Sequence, residues 1–148
     1  MTDSLRDLYQ EVIIDHSQNP RHFHASTCAN HVQEGYNPLC GDKITVYVTE
    51  KDGVIKDVCF QSEGCAISTA SASLMTEALK GKSITEAQNL FTEFQKLVTT
   101  GQADTSKLGK LAVLAGVAEF PIRVKCATLA WHTLKAALNN EKKAVTTE

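Results

Sequence analysis

Between Ser4 and His16, apolar residues recur at Leu5, Leu8, Val12 and Ile13, the spacing of one face of a helix. Ser4 stands where an N-cap would, and Gln18-Asn19-Pro20 ends the run. Arg21 to Asn30 has no period and reads as loop. The period then changes to two. His31 to Tyr36 reads as a short strand broken by Asn37-Pro38. Lys43 to Thr49 alternates clearly, with Ile44, Val46 and Val48 on one face and Thr45, Tyr47 and Thr49 on the other. Asp52-Gly53 is hairpin-turn chemistry. Val54 to Gln61 returns with Val54, Val58 and Phe60 on one face. The three runs predict a meander of about three antiparallel strands.

From Cys65 onward the pattern is helical. Ala66 to Lys80 is rich in Ala, Ser and Leu and stops at Gly81. Ser83 followed by Glu86 is a capping-box signal for a helix through about Val98. Asp104 or Thr105 starts another, through about Leu114. Pro121 opens a last helix to about Asn139, with Trp131, Leu134 and Leu138 as its core face. The polar tail, Glu141 to Glu148, is expected to fray. This order predicts an α+β fold, a small antiparallel sheet with helices packed on it. No repeat or linker divides residues 1–148, so one domain is expected.

Composition narrows the function. The chain has 148 residues, 43% hydrophobic and 22% charged, ordinary for a soluble globular protein. A formal net charge of -2 lacks the basic footprint of a nucleic-acid binder. No apolar run is long enough to span a membrane, and Met1 to Asp7 is too polar for a signal peptide. Five cysteines, an odd number, without a secretory signal argue against a disulfide framework. A reducing cytoplasm is the expected compartment, where thiols are free for metal or sulfur chemistry.

Four residues carry the candidate chemistry. Cys40 and Asp42 lie in Pro38-Leu39-Cys40-Gly41-Asp42, Cys65 follows Gly64, and Cys126 falls just inside the helix opened by Pro121. Thiolates select zinc, Cu(I) or iron–sulfur clusters. The paired C-x2-C knuckles of many structural zinc sites are absent. Asp42 is a harder ligand than a fourth thiolate and easier to displace, which suits a site that exchanges its metal or releases a cluster. Cys65 at a helix start favours thiolate. Arg123 and Lys125 beside Cys126 are expected to lower its pKa and offset the ligand charge. The alternative is three ordinary buried thiols, since free cysteine is often buried. Cys28 reads as a free thiol in a loop and Cys59 as strand packing. His22 and His24 read as surface residues, and His16 and His31 as structural. His132, six residues after Cys126, falls on a different helix face.

The chain resembles the SufU/IscU group of iron–sulfur cluster assembly proteins, related to the N-terminal domain of NifU. The resemblance is carried by Tyr9 to His16, Asn19-Pro20-Arg21, Asn37 to Asp42, Gly64 to Ser68 and Lys125 to Trp131. It implies a SufE/NifU-like fold. The SufU branch is the nearer one. The IscU branch has a histidine where Lys125 stands, and Ser83 to Thr99 adds about one helix between Cys65 and Cys126. The Pro-Pro chaperone element of IscU is reduced here to Phe120 to Lys125. The resemblance implies Zn2+ on Cys40, Asp42, Cys65 and Cys126. It implies a SufS-like cysteine desulfurase, with pyridoxal phosphate, as partner. In SufU-like proteins that enzyme donates a histidine to the zinc and displaces one cysteine, here Cys40, which accepts a persulfide. Arg123 is then a contact in the exchange.

Three readings follow. The first is a zinc-dependent sulfurtransferase that passes sulfur to downstream cluster-assembly proteins. The second is a non-enzymatic scaffold that builds and transfers a [2Fe-2S] cluster on the same four residues, with iron or a transient cluster in place of zinc. The third is a structural zinc domain used only for binding, disfavoured because a core of this size folds without metal.

Overall fold

The β2–β3 hairpin sets the frame of the sheet. Strands β2 (Asp42–Lys51) and β3 (Val54–Glu63) are joined by Asp52-Gly53, with φ of 55° and 76°. That left-handed pair is what a two-residue type I′ turn requires. A register shift at Thr49/Glu50 places a bulge opposite, and it reverses the phase of β3. Ile55, not Val54, therefore joins Val58 and Phe60 in the core, a correction to the alternation read from the sequence.

The computed structural model describes residues 3–141 and 143–147. Side chains of residues 3–6 lie outside that description, Leu5 among them. Strand β1 (His31–Asn37) pairs antiparallel with β2, from His31 opposite Val48 to Asn37 opposite Asp42. A fourth strand, β4 (Val145–Thr146), runs parallel to β1, giving the order β3-β2-β1-β4. The expected three strands are thus four, and the tail returns to the sheet instead of fraying. One side-chain and one backbone hydrogen bond hold it there. Gln33 Nε2 donates to the Lys143 carbonyl at 2.6 Å, and the Thr147 N–H to the Tyr36 carbonyl at 3.0 Å.

The helices are α1 (Asp3–Gln18), α2 (Ala66–Leu79), α3 (Ile84–Thr100), α4 (Thr105–Leu108) and α5 (Pro121–Leu138). Because α1 begins at Asp3, Ser4 lies inside its first turn and not at the cap. Both bonds of the Ser83–Glu86 capping box are present at the start of α3. Asp104 caps α4, but Gly109 at φ 55° and ψ -126° ends the α-helix after four residues. A 3-10 segment, Gly109–Glu119, continues in its place.

Helices α2 and α5 pack on the sheet, α1 on α2, and α3 on α5. Gly35 of β1 permits the close approach of α5. A Cβ there would meet Leu129 Cδ1 at 3.2 Å and the side chain of Thr133. Trp131 of α5 is fully buried between Phe94 and Phe91 of α3, with ring centroids 4.7 and 5.8 Å away. Such aromatic pairs contribute about 0.5–1.5 kcal/mol beyond area burial. The additional helix is therefore part of the core. His16 of α1 is buried, with Nδ1 2.7 Å from Ser73 Oγ and Nε2 3.5 Å from Glu77 Oε1.

Candidate metal centre

The four candidate residues come from three places in the fold. Cys40 sits in the hairpin loop 38–41 between Asn37 and Asp42, where Gly41 takes φ 70° and the Cys40 N–H donates to the Asn37 carbonyl at 3.3 Å. Asp42 opens β2 and is 2% exposed. Cys65 is the N-cap of α2, its sulfur accepting the Ser68 N–H at 3.5 Å. Cys126, fully buried, lies in the second turn of α5 behind Pro121.

The chain ends of β1, β2, α2 and α5 thus meet at one edge of the molecule. The Cys126 and Cys40 sulfurs are 3.2 Å apart. Ligand atoms of Cys40, Asp42 and Cys126 all lie within 4.8 Å of one another. The Cys65 sulfur adjoins this set at 3.9 Å from Asp42 Oδ2. Its own N–H donates to Asp42 Oδ1 at 2.8 Å. Gly64 is required at this contact. Its φ is 157°, and a Cβ there would lie 3.0 Å from Asp42 Cα and collide with the carboxylate.

The electrostatics differ from the sequence expectation. Burial, then the neighbouring Cys40, Asp42 and Cys65, pushes the Cys126 thiol well above the ordinary thiol range instead of lowering it. Three thiols and a carboxylate gathered in partly buried space need a cation to be held as anions together. The donor set, soft sulfur with one oxygen, fits Zn2+ or an iron–sulfur cluster. Arg123 is the cation that faces the thiols. Its pKa is raised first by Cys126 and then by the charges of Cys65 and Cys40. Lys125 lines a groove of about 520 Å³ with Thr128, His132, Lys135 and Thr146.

Asn37, read in the sequence as a strand breaker and as part of the motif Asn37 to Asp42, was given no role at the site. Its Nδ2 donates to Asp42 Oδ2 at 3.1 Å and to Cys126 Sγ at 3.3 Å. The available signal was phase. Gln33, Gly35 and Asn37 occupy the inward positions of β1, where polar side chains need a partner. Three large apolar side chains, Leu39, Phe120 and Ile122, stand exposed in the segments that carry Cys40 and Cys126.

The other candidates lie apart. Cys28 is exposed, and Cys59 is buried in β3, where burial raises its pKa. His22 Nδ1 is 3.0 Å from Thr76 Oγ1, and His24 Nδ1 is 2.9 Å from its neighbour's carbonyl oxygen, on Ala25. His31 lies between Asn140 Oδ1 and Glu50 Oε1, 2.9 Å from each. His132 packs edge-on against Phe91. Among the described residues, no helix is long and apolar enough to cross a membrane.

Comparison with known proteins finds relatives over most of the chain. The family model described as NifU-like N terminal domain matches residues 8–127. The iron-sulfur cluster assembly scaffold protein IscU of Streptococcus pyogenes serotype M1 is 43% identical over 141 residues, covering 95% of this chain and 88% of that protein. The zinc-dependent sulfurtransferase SufU of Bacillus subtilis (strain 168) is 39% identical over 140 residues, covering 94% and 95%. The crystal structure of a NifU-like N-terminal protein from Brucella abortus superposes with a TM-score of 0.82 at 20% identity, over 94% of this chain and 99% of that one, and so shares the fold.

Proposed function

Because the chain belongs to the NifU-like N-terminal domain family, with IscU and SufU among its relatives, we propose that it relays sulfur as a zinc-dependent sulfurtransferase. The coarser assignment is iron–sulfur cluster assembly of the IscU/SufU type. In this reading Cys40, Asp42, Cys65 and Cys126 hold Zn2+. A SufS-like cysteine desulfurase delivers the sulfur, downstream cluster-assembly proteins receive it, and the exchange takes place in the cytoplasm. Zinc, when bound, supplies the positive charge that keeps ligand thiols deprotonated.

The observation that supports Cys40 as acceptor is its unequal placement. It stands partly exposed in a hairpin loop, whereas Cys126 is fully buried and Cys65 is tied to the N-terminus of α2. The Cys40 thiolate attacks the outer sulfur of the desulfurase persulfide. The S–S bond breaks, and its electron pair leaves on the desulfurase cysteine. The proton on the outer sulfur stays with it, so Cys40 ends as the persulfide and no external oxidant or reductant is needed. Arg123, at the rim, carries positive charge toward the thiols during the exchange.

A second reading, the scaffold for a [2Fe-2S] cluster, is favoured by the IscU relative and by a donor set of three thiols and a carboxylate. The cluster would then be cargo, and the oxygen ligand would make it more labile than a four-cysteine site. The two are separated by desulfurase turnover with and without the zinc-loaded protein. Saturable stimulation that vanishes with Cys40→Ala supports the relay. Absence of stimulation, together with a cluster that assembles on this chain and moves to an apo-ferredoxin, supports the scaffold.

A further inference from the structure

Asn37 lies at the end of β1, directly across the hairpin from Asp42, and is fully buried. A primary amide has two N–H donors, and here each has an acceptor in the ligand set, Asp42 Oδ2 at 3.1 Å and Cys126 Sγ at 3.3 Å. The amide orientation follows from those acceptors. Turned over, its carbonyl oxygen would face the Asp42 carboxylate, which does not donate. Among the described residues, the buried Asn37 Oδ1 has no hydrogen-bond partner. A buried carbonyl oxygen is rarely left unpaired. This one marks a side chain placed for its nitrogen. The main chain adds a third tie, since the Asn37 carbonyl accepts the Cys40 N–H.

The candidate ligands are therefore held unequally. Both oxygens of Asp42 are engaged, Oδ1 by the Cys65 N–H and Oδ2 by Asn37. The Cys126 sulfur receives the other Asn37 N–H. Among the described residues, the Cys40 side chain has a hydrogen-bonding contact only with the Cys126 sulfur. An N–H donor on a thiolate withdraws electron density from sulfur and lowers its nucleophilicity, so the same bond that positions Cys126 also makes it the poorer sulfur acceptor.

We infer that Asn37 is a positioning and selectivity residue: its amide locks Asp42 and Cys126 as the fixed half of the site and leaves Cys40 as the one thiol free to swing out and take sulfur. The selectivity part rests on the sulfur-relay reading above; the positioning part does not. Partners of this outer kind characteristically change metal affinity by about 10–100-fold when removed.

The test compares the wild type with Asn37→Ala and Asn37→Ser, each loaded with Zn2+ and checked for folding by the near-ultraviolet signal of Trp131. Zinc transfer to a chromophoric chelator is expected to be about tenfold faster in Asn37→Ala, and intermediate in Asn37→Ser, which keeps one donor. After reaction with glutathione persulfide as probe, sulfur among Cys40, Cys65 and Cys126 is expected on Cys40 alone in the wild type and on both Cys40 and Cys126 in Asn37→Ala. A measurement on the wild type needs no variant. With cadmium-113 at the site, an Asn37 side-chain proton should show scalar coupling to the metal through the Cys126 sulfur. Missing coupling in a cadmium-loaded protein, or unchanged zinc release in folded variants, overturns the positioning role. Sulfur confined to Cys40 in folded Asn37→Ala overturns the selectivity role. A wild type that takes no sulfur on Cys40 overturns the relay reading and selectivity with it, while zinc release and coupling still decide positioning. A protein that binds no cadmium overturns the ligand assignment itself.

Discussion

The backbone N–H of Cys65 donates to Asp42 Oδ1 over 2.8 Å, so two candidate ligands 23 residues apart form one hydrogen-bonded unit. The contact depends on Gly64, whose missing side chain lets the Cys65 turn lie against the start of β2. Gly64→Ala would drive a Cβ into Asp42 at a positive φ. The expected outcome is a loss of about 1–3 kcal/mol in stability by urea denaturation. Weaker zinc retention in a chelator competition should accompany it. Wild-type behaviour in both would show that the turn can relax at no cost.

Helix α3 is expected to act as part of the core and not as an appendage. Phe94 stacks on Trp131 with centroids 4.7 Å apart, both fully buried. Phe94→Ala should cost about 3–5 kcal/mol. Because Trp131 lies five residues after Cys126 on the same helix, the refolded variant should still bind zinc at one equivalent, measured by metal analysis, while its urea midpoint falls.

Arg123 and Lys125 should separate in function. Arg123 faces the thiols, and Lys125 lines the groove with His132 and Lys135. Arg123→Ala is expected to slow sulfur acceptance several-fold and to flatten its dependence on ionic strength, as loss of a rim charge does. Lys125→Ala should leave the rate within error. Stopped-flow persulfide transfer at two salt concentrations distinguishes them.

Two histidines set a pH dependence of stability. Burial lowers the pKa of His16, helped by Arg21 and Lys110, and burial followed by Lys135 lowers that of His132. In the unfolded chain each titrates near 6.5. The folded state therefore binds fewer protons than the unfolded state between its depressed pKa and about 6.5, so stability rises with pH through that window. It is fully present above about 6.5 and is lost as pH falls toward the folded values. Urea midpoints at pH 7.5 and pH 5.5 should show the drop. His16→Gln should reduce the drop relative to wild type in the same buffers.

Much of the fold was legible because local chemistry determines it. The alternation of Ile44, Val46 and Val48, the Asp52-Gly53 turn and the Ser83–Glu86 box are each short-range signals, and each appears in the structure. Features set at a distance were not legible. Strand β4 is two residues long and is held by backbone bonds to β1, which leave no alternation to read. The bulge opposite Thr49/Glu50 changes the phase of β3 without a Gly to mark it, so Val54 and Ile55 exchange roles. At the site, Cys40, Asp42 and Cys65 draw attention through their flanking Gly residues. Their convergence with Cys126 depends on how α5 crosses the sheet, which no local pattern encodes. Adjacent helix positions point about 100° apart, so the neighbour of Cys126 in sequence is not its neighbour in space.

The most direct measurement is site-resolved persulfide mapping by mass spectrometry, after a single turnover of a cysteine desulfurase with the zinc-loaded protein. The relay account predicts one added sulfur on Cys40 in the wild type, none on Cys65, and none anywhere in Cys40→Ala. Persulfide on Cys65 or Cys126 with Cys40 unmodified, or transfer undiminished in Cys40→Ala, would contradict it.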